Sequence, residues 1–531
     1  MKRRDLGLAG LAAPFASGLA APSIVQAQSA RVLKFIPHAN LAVMDPIWTT
    51  AYVTRNHGYL VWDTLFGLDD AYRTHPQMLE GFAAEDSSRD WRFTLRSGMV
   101  FHDGSAVRSN DVVASIQRWV KRDAFGAKLA SVIEAITVED DRRFRIKLSR
   151  PFPLLPDALA KPTSNPCFIM PERIANTDPF TAIKPEDLIG SGPFRFKRDE
   201  FNSGSLIVYE KFAGYRPREQ GEVSFTSGPK VVHFDRVEWR VIPDAATASA
   251  ALQAGEIDWW EQTTSDYLPI MAKARGITTE VMDPLGLIAV MRPNHLHAPM
   301  NNPKFRQALI RAVSQEDFMI AVTGTDPKLW KKGVGAFTPG TPLANNVGVN
   351  EVFKDDIELA KKMIAESGYG GEKITLLGTT DLASLVALSQ VGGDMFRRLG
   401  VNLDYQAMDW GTVVQRRASK EPLDKGGWSC FFTFWAGLDH LTPASHHMLR
   451  GQGEAGFIGW PASERLETLR DQWFEAETLQ QQQSIAAAMQ RQLWEDVPYI
   501  PLGQYYQLTS YRSNLQGVLK GLPIFWNVKR A

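Results

Sequence analysis

HFDRVEWRVIPDAATASAALQAGEIDWW, residues 233–260, reads as strand, helix, strand. The first run is strand-like and stops at Pro243-Asp244. The alanine-rich middle closes near Gly255, and IDWW resumes an apolar strand. That order is the rhythm of a βαβ unit and of an α/β layer.

The same rhythm extends toward the C-terminus. In NNPKFRQALIRAV (301–313), Asn302 is a cap and Pro303 takes the first helical position. Phe305, Ala308, Leu309, Ala312 and Val313 form its apolar stripe. DIELAKKMIAESG is a helix closing on Gly368, EKITLLGTTD a strand, LASLVALSQVGGDMFRRLG a helix and VNLDYQAMDW a strand. These elements predict an open α/β lobe with loops at the strand ends available for binding. Residues 463–496 read as a long helical region broken once and stopped by Pro498. YIPLGQYYQLTSY and IFWNVKR then read as strands.

Toward the N-terminus, RVLKFIPHA is a strand. WRFTLRSGMVFHDG alternates and breaks at His102-Asp103-Gly104, a hairpin signal. SNDVVASIQRWVKR is an amphipathic helix, and a proline-rich connection leads to GSGPFRF. The chain has 531 residues. A single core stops growing near roughly 250–300, so two or three domains are expected. Formal charge is zero, which implies no polyanionic partner and no nucleic acid.

The first 27 residues carry Lys2, Arg3 and Arg4, a short apolar run and Val25-Gln26-Ala27, an export signal of the general or twin-arginine type. No cysteine lies near the cut, so no lipid anchor is expected, and a periplasmic location fits. Cys167 and Cys430 either pair there or remain buried thiols.

Catalytic signatures are sparse. Gly451, Gly453 and Gly456 match G-x-G-x-x-G but lack the strand-then-helix setting of a nucleotide site. No P-loop, HExxH or G-x-S-x-G pattern occurs. No enzymatic activity and no cofactor are predicted. His440, His446 and His447 are weak candidates for a metal, with solvated polar residues as the simpler reading.

FFTFWAGLDHLTP (431–443) reads as a buried strand ending in a polar turn with one acid, Asp439. Several segments together resemble the family 5 extracellular solute-binding proteins, the peptide-, nickel- and opine-binding receptors of ABC importers. They are Met44-Asp45-Pro46 with VWDTLFGLD, WRFTLRSGMVFHDGSAVRSNDV, LIGSGPFRF with YEKFAGYRP, FDRVEWRVIPDAATASAALQAGEID, PMNNPKFRQALIRAVSQEDF, RRLGVNLDY and LWEDVPYIPL.

The resemblance implies an α/β, periplasmic binding protein-like fold of the cluster C type, two lobes joined by a hinge plus an extra small domain. Domain I would comprise 28–70, 188–283 and 500–531, domain II 71–187, and domain III 284–499. It also implies a monomer that delivers a small solute to an inner-membrane permease and ATPase. Peptide binders of the family receive the ligand ammonium on an Asp four residues before a proline, which Asp439 and Pro443 match. Capping of the following turn is the other reading of Asp439, and the two are compatible. Trp435 would be a stacking wall, and Gly437 would let ligand approach the backbone. Tyr52, Trp260 and Trp410 are further ligand-wall candidates.

The chain departs from the pattern at Thr379, Thr380 and Asp381, where dipeptide binders place an Arg. This favours a ligand with less negative charge or a longer peptide. Arg416 and Arg417 either compensate for that missing base or sit on an exposed helix face, the simpler reading. A metal-chelate receptor, an exported enzyme, and a chaperone or sensor subunit are the competing functions.

Overall fold

The structure, a computed structural model, describes residues 31–531; the export signal expected at residues 1–27 lies outside the described residues. Three sheets organise the chain. The first has seven strands in the order Phe194–Phe196, Leu206–Lys211, Arg236–Arg240, Val32–Ile36, Trp259–Trp260, Leu508–Arg512 and Ile277–Val281. Val32–Ile36 lies parallel to both Arg236–Arg240 and Trp259–Trp260. The opening βαβ unit therefore forms around an interposed N-terminal strand. Its helix, Ala245–Ala254, starts where the Asp244 carboxylate accepts the Thr247 N–H at 2.8 Å. It ends at Gly255, whose φ of 77° strains any residue with a Cβ. Phe35, Trp239, Trp259 and Phe525 cluster beneath this sheet, with ring centroids 5.0–5.8 Å apart.

The IFWNVKR segment differs from expectation. Only Lys529–Arg530 is strand, paired with Leu515–Gln516. Ile524, Phe525 and Trp526 plug the first-lobe core, and Asn527 at φ 64° breaks any extended run.

The second sheet runs Trp330–Lys331, Ile500–Tyr505, Leu287–Pro293, Cys430–Ala436, Ile374–Thr379, Leu403–Met408. The chain enters this lobe between Val281 and Leu287. It leaves after Tyr505, not at 499, because the fully buried strand Ile500–Tyr505 pairs with Leu287–Pro293. Both connections between the lobes are short.

The third sheet, Leu79–Glu85, Asp90–Leu95, Arg143–Leu148 and Ile133–Val138, is antiparallel and belongs to the extra domain. Its helix Ser109–Trp119 is anchored to the first lobe by a buried Arg118–Asp45 ion pair of 2.8 Å. His102 also ties down this domain: its Nε2 donates to the Gly192 carbonyl at 3.1 Å, while Nδ1 accepts the Gly190 N–H at 3.3 Å. Cys167 and Cys430 are buried, free thiols.

Candidate ligand site

The strand Cys430–Ala436 is buried along its whole length. It delivers a short 3-10 turn, Gly437–His440, to the junction of the three domains. A Cβ on Gly437 would meet the Leu285 carbonyl oxygen at 2.3 Å, and the Gly437 N–H donates to Gly286 at 2.8 Å. Its missing side chain therefore serves close packing on the lobe-connecting segment rather than backbone access for a ligand.

Asp439 is fully buried. Tyr52, from the first-lobe helix Tyr52–Val61, donates its hydroxyl to Oδ2 at 2.6 Å and accepts the Ala436 N–H at 2.5 Å. On Oδ1, Asp439 accepts the hydroxyls of Thr163 and Ser164, the latter at 2.9 Å. The carboxylate accepts no hydrogen bond from its own or the following turn among the described residues, and no Lys, Arg or His forms an ion pair with it there. Its partners are neutral donors from the two other domains. Burial first, and then the adjacent Asp439 charge, push the Tyr52 phenol well above its ordinary range, so it stays a donor.

The Thr163-Ser164 turn is held from below. Lys161 Nζ donates to the Ser164 carbonyl and pairs with Asp123 at 2.8 Å. Asp123 also caps the helix Ala124–Ala130 and faces His447 Nε2 at 3.6 Å, across the boundary between extra domain and second lobe. Burial raises the Asp123 carboxyl, but Lys161 and His447 outweigh it and hold the group far below the usual range.

His440, His446 and His447 are buried, not solvated; His440 ends the 3-10 turn, and His446 and His447 lie beyond it rather than on a helix. The His440 and His446 rings stack at 3.9 Å, and Trp435 stacks on His447 at 5.4 Å. Burial lowers all three imidazoles, His440 to about 3, while Asp123 pulls His447 back up. Among the described residues no three His, Cys, Asp or Glu side chains are arranged to hold a metal ion. Trp435 thus packs against the histidines.

Two cavities lie between the domains. One, of about 510 Å³, is lined by Trp260, Tyr267, Asp266, Asp381, Asp409 and Ser384 among others, with no Lys or Arg. Burial raises the Asp381 carboxyl above its usual range. The other, of about 590 Å³, runs between the extra domain and the second lobe and is rich in bases. Arg417 lines it and is 3% exposed, contrary to its expected place on an outer helix face. Its guanidinium lies 5.3 Å from the Trp410 ring centroid. Arg416 does face outward, bonding to Gln406 and to the carbonyls of Gly426 and Gly427.

Of the residues singled out from sequence, Tyr52 and Asp439 come together, Trp435 and Gly437 pack beside them, and Trp260 lines the acidic cavity. Trp410 supports Arg417. Thr163, Ser164 and Lys161 were not anticipated, and Arg417 was weighed as a base for the ligand but expected on an outer helix face. KPTSNP (161–166), a Thr-Ser pair between two prolines, was the available signal for the first three.

Asp283 lies where the chain enters the second lobe, and burial pushes its carboxyl up to about 7, against the Leu285 N–H and Arg55, which pull it down. A raised carboxyl contributes stability that is complete below the ordinary Asp range and is lost as pH rises through about 7. Its edge reaches solvent, so the wild type should lose only about 1 kcal/mol more than Asp283→Asn between pH 5 and 8 in urea unfolding. Equal pH dependence in the two proteins would contradict this assignment.

The chain matches the profile of the bacterial extracellular solute-binding proteins, family 5, over residues 73–456. It is 36% identical, over the full length of both chains, to a probable peptide ABC transporter periplasmic-binding protein of Sinorhizobium fredii. Its fold superposes on that of AgaA from Agrobacterium tumefaciens R10, solved with agropinic acid, with a TM-score of 0.78 at 19% identity, covering 94% of this chain and 99% of that one. DppA of Helicobacter pylori, solved with the peptide STSA, gives 0.76 at 20% identity, covering 95% and 99%. With the two lobes, the extra domain and the buried carboxylate at their junction, these likenesses place the chain among the family 5 extracellular solute-binding proteins.

Proposed function

We propose that this protein is the periplasmic receptor of an ABC importer for a peptide-like, amine-bearing solute, whose ammonium group is received by Asp439. One observation carries the reading. Asp439 is a buried carboxylate with hydroxyl partners but no cation among the described residues. A buried charge calls for a charged partner, and hydroxyls compensate it only in part.

All three hydroxyl-bearing residues belong to domains other than the one that carries Asp439. Separation of the lobes frees the carboxylate, and closure around a bound ammonium brings Tyr52, Thr163 and Ser164 back. The short connections at 282–286 and 506–507 are where such a hinge bends. The closed form is what a membrane permease would then recognise.

Thermal melts of refolded mature protein against di- to pentapeptides test the assignment. A peptide at a hundredfold its Kd adds roughly 2.7 kcal/mol to stability. No shift with any peptide, alongside a shift with a metal chelate or an amine-free solute, would remove the peptide assignment.

A further inference from the structure

One side of the helix Glu464–Glu475 turns toward the extra domain rather than into its own lobe. Leu466, Leu469, Arg470 and Trp473 form the buried stripe of that helix. Glu467, Asp471, Phe474 and Glu475 fall on the neighbouring face, where Phe474 is an aromatic among acids. The Phe474 ring stacks on Phe152 at 5.9 Å and tilts against Phe125 at 6.1 Å. Lys128 Nζ lies 5.0 Å from the same ring and pairs with Asp471, and Arg150 pairs with Glu475 at 3.4 Å. Phe125 and Lys128 belong to the helix Ala124–Ala130, and Arg150 and Phe152 follow the strand Arg143–Leu148, all in the extra domain. An aromatic cluster bordered by ion pairs thus joins the extra domain to the second lobe. None of these residues lines either cavity, so the contact lies outside the space a solute can occupy.

The path of the chain gives this contact its meaning. The extra domain leaves and rejoins the first lobe, and the Arg118–Asp45 pair and His102 hold it there. The chain passes between the two lobes at 282–286 and 506–507. No covalent link runs from the extra domain to the second lobe. When the lobes separate, the extra domain moves with the first lobe, and Phe474 leaves Phe125 and Phe152. Closure therefore buries apolar surface that opening returns to water, and the ring pairs add to that gain. Asp471 is 61% exposed, so its pair with Lys128 orients the contact more than it strengthens it.

We infer that Phe474 and its partners Phe125, Phe152 and Lys128 form a latch that holds the ligand-free protein partly closed. The inference rests on the lobe closure proposed above, but not on the peptide assignment or on Asp439. The latch touches no solute. It sets the fraction of closed protein, and this fraction scales the apparent affinity for every solute by one common factor.

The test needs no ligand. Ala130 and Gln472 are exposed on the two helices that carry the contact. Ala130→Cys and Gln472→Cys take spin labels while Cys167 and Cys430 stay buried. Pulsed electron paramagnetic resonance on refolded, ligand-free protein then reads the separation of the two helices. The labelled parent should show a short and a long distance. Phe474→Ala should lower the ratio of short to long at least threefold. Asp471→Lys sets like charges against each other across the contact and should lower the ratio too, and adding Lys128→Asp should restore it. The charge reversal lies at the surface and leaves the core of each lobe intact, so it reads the latch even if Phe474→Ala loosens the fold. Proportions that neither Phe474→Ala nor Asp471→Lys changes, whether one distance is seen or two, would overturn the inference. Because no solute enters, that result would leave the peptide reading standing, and a failure of peptide binding would leave the latch standing.

Discussion

Asp439→Asn lowers the affinity for a free-amine peptide by about 10²- to 10³-fold, read by calorimetry. The size follows from charge. Removing one partner of a buried ion pair costs about 3–5 kcal/mol, because the other charge stays behind uncompensated. Each 1.4 kcal/mol is about tenfold in Kd. The fold itself should tolerate the change. Asn Oδ1 still accepts a hydroxyl, Tyr52 keeps its bond from the Ala436 N–H, and no cation is left unpaired. Its urea midpoint should therefore stay close to that of the wild type. A variant that binds as tightly as wild type would show that Asp439 serves only to join the lobes.

Lys161→Met produces the largest loss of stability, about 3–5 kcal/mol, because it leaves the Asp123 carboxylate buried without its cation. The same change releases the Ser164 carbonyl and loosens the turn that presents Thr163 and Ser164 to Asp439. Peptide affinity should fall along with stability. Adding Asp123→Asn removes the stranded charge and should restore much of the stability, but not the order of the turn. A double-mutant cycle from urea unfolding measures this coupling. Its sign with pH is also fixed. Asp123 has a depressed carboxyl, so its contribution is present above the ordinary Asp range and is lost as pH falls below it. An uncoupled cycle would mean that Lys161 and Asp123 act independently.

The architecture was legible in the sequence where local chemistry decided it. Gly255, Asn302-Pro303 and Pro498 each mark a boundary by a backbone constraint, and helices or strands begin or end beside them. The tail was misread because Ile524, Phe525 and Trp526 are apolar for a different reason, filling a core already built by other strands. The strand at 500–505 was assigned to the wrong lobe because strand pairing is a long-range choice that no local pattern records.

The site was half legible. The run ending in Asp439 pointed to a carboxylate on a rigid strand. Its hydroxyl partners come from two other domains, more than 270 residues away in the case of Thr163 and Ser164. Arg417 was readable in principle. Trp410, Val413, Val414 and Arg417 fall at helical spacing and are buried together, so the arginine continues an apolar stripe. Charge argued for solvent, and position argued for the interior. The histidines illustrate the same conflict: His440, His446 and His447 are polar by type but stack with one another and with Trp435 inside the second lobe.

The most direct measurement compares one peptide in two forms, with a free N-terminus and with an N-acetyl cap, by calorimetry on the wild-type protein. The cap removes the ammonium charge and little else. Binding of the free form with at least a hundredfold loss on acetylation is the result expected if Asp439 receives the ammonium. Equal affinity for the two forms would contradict it.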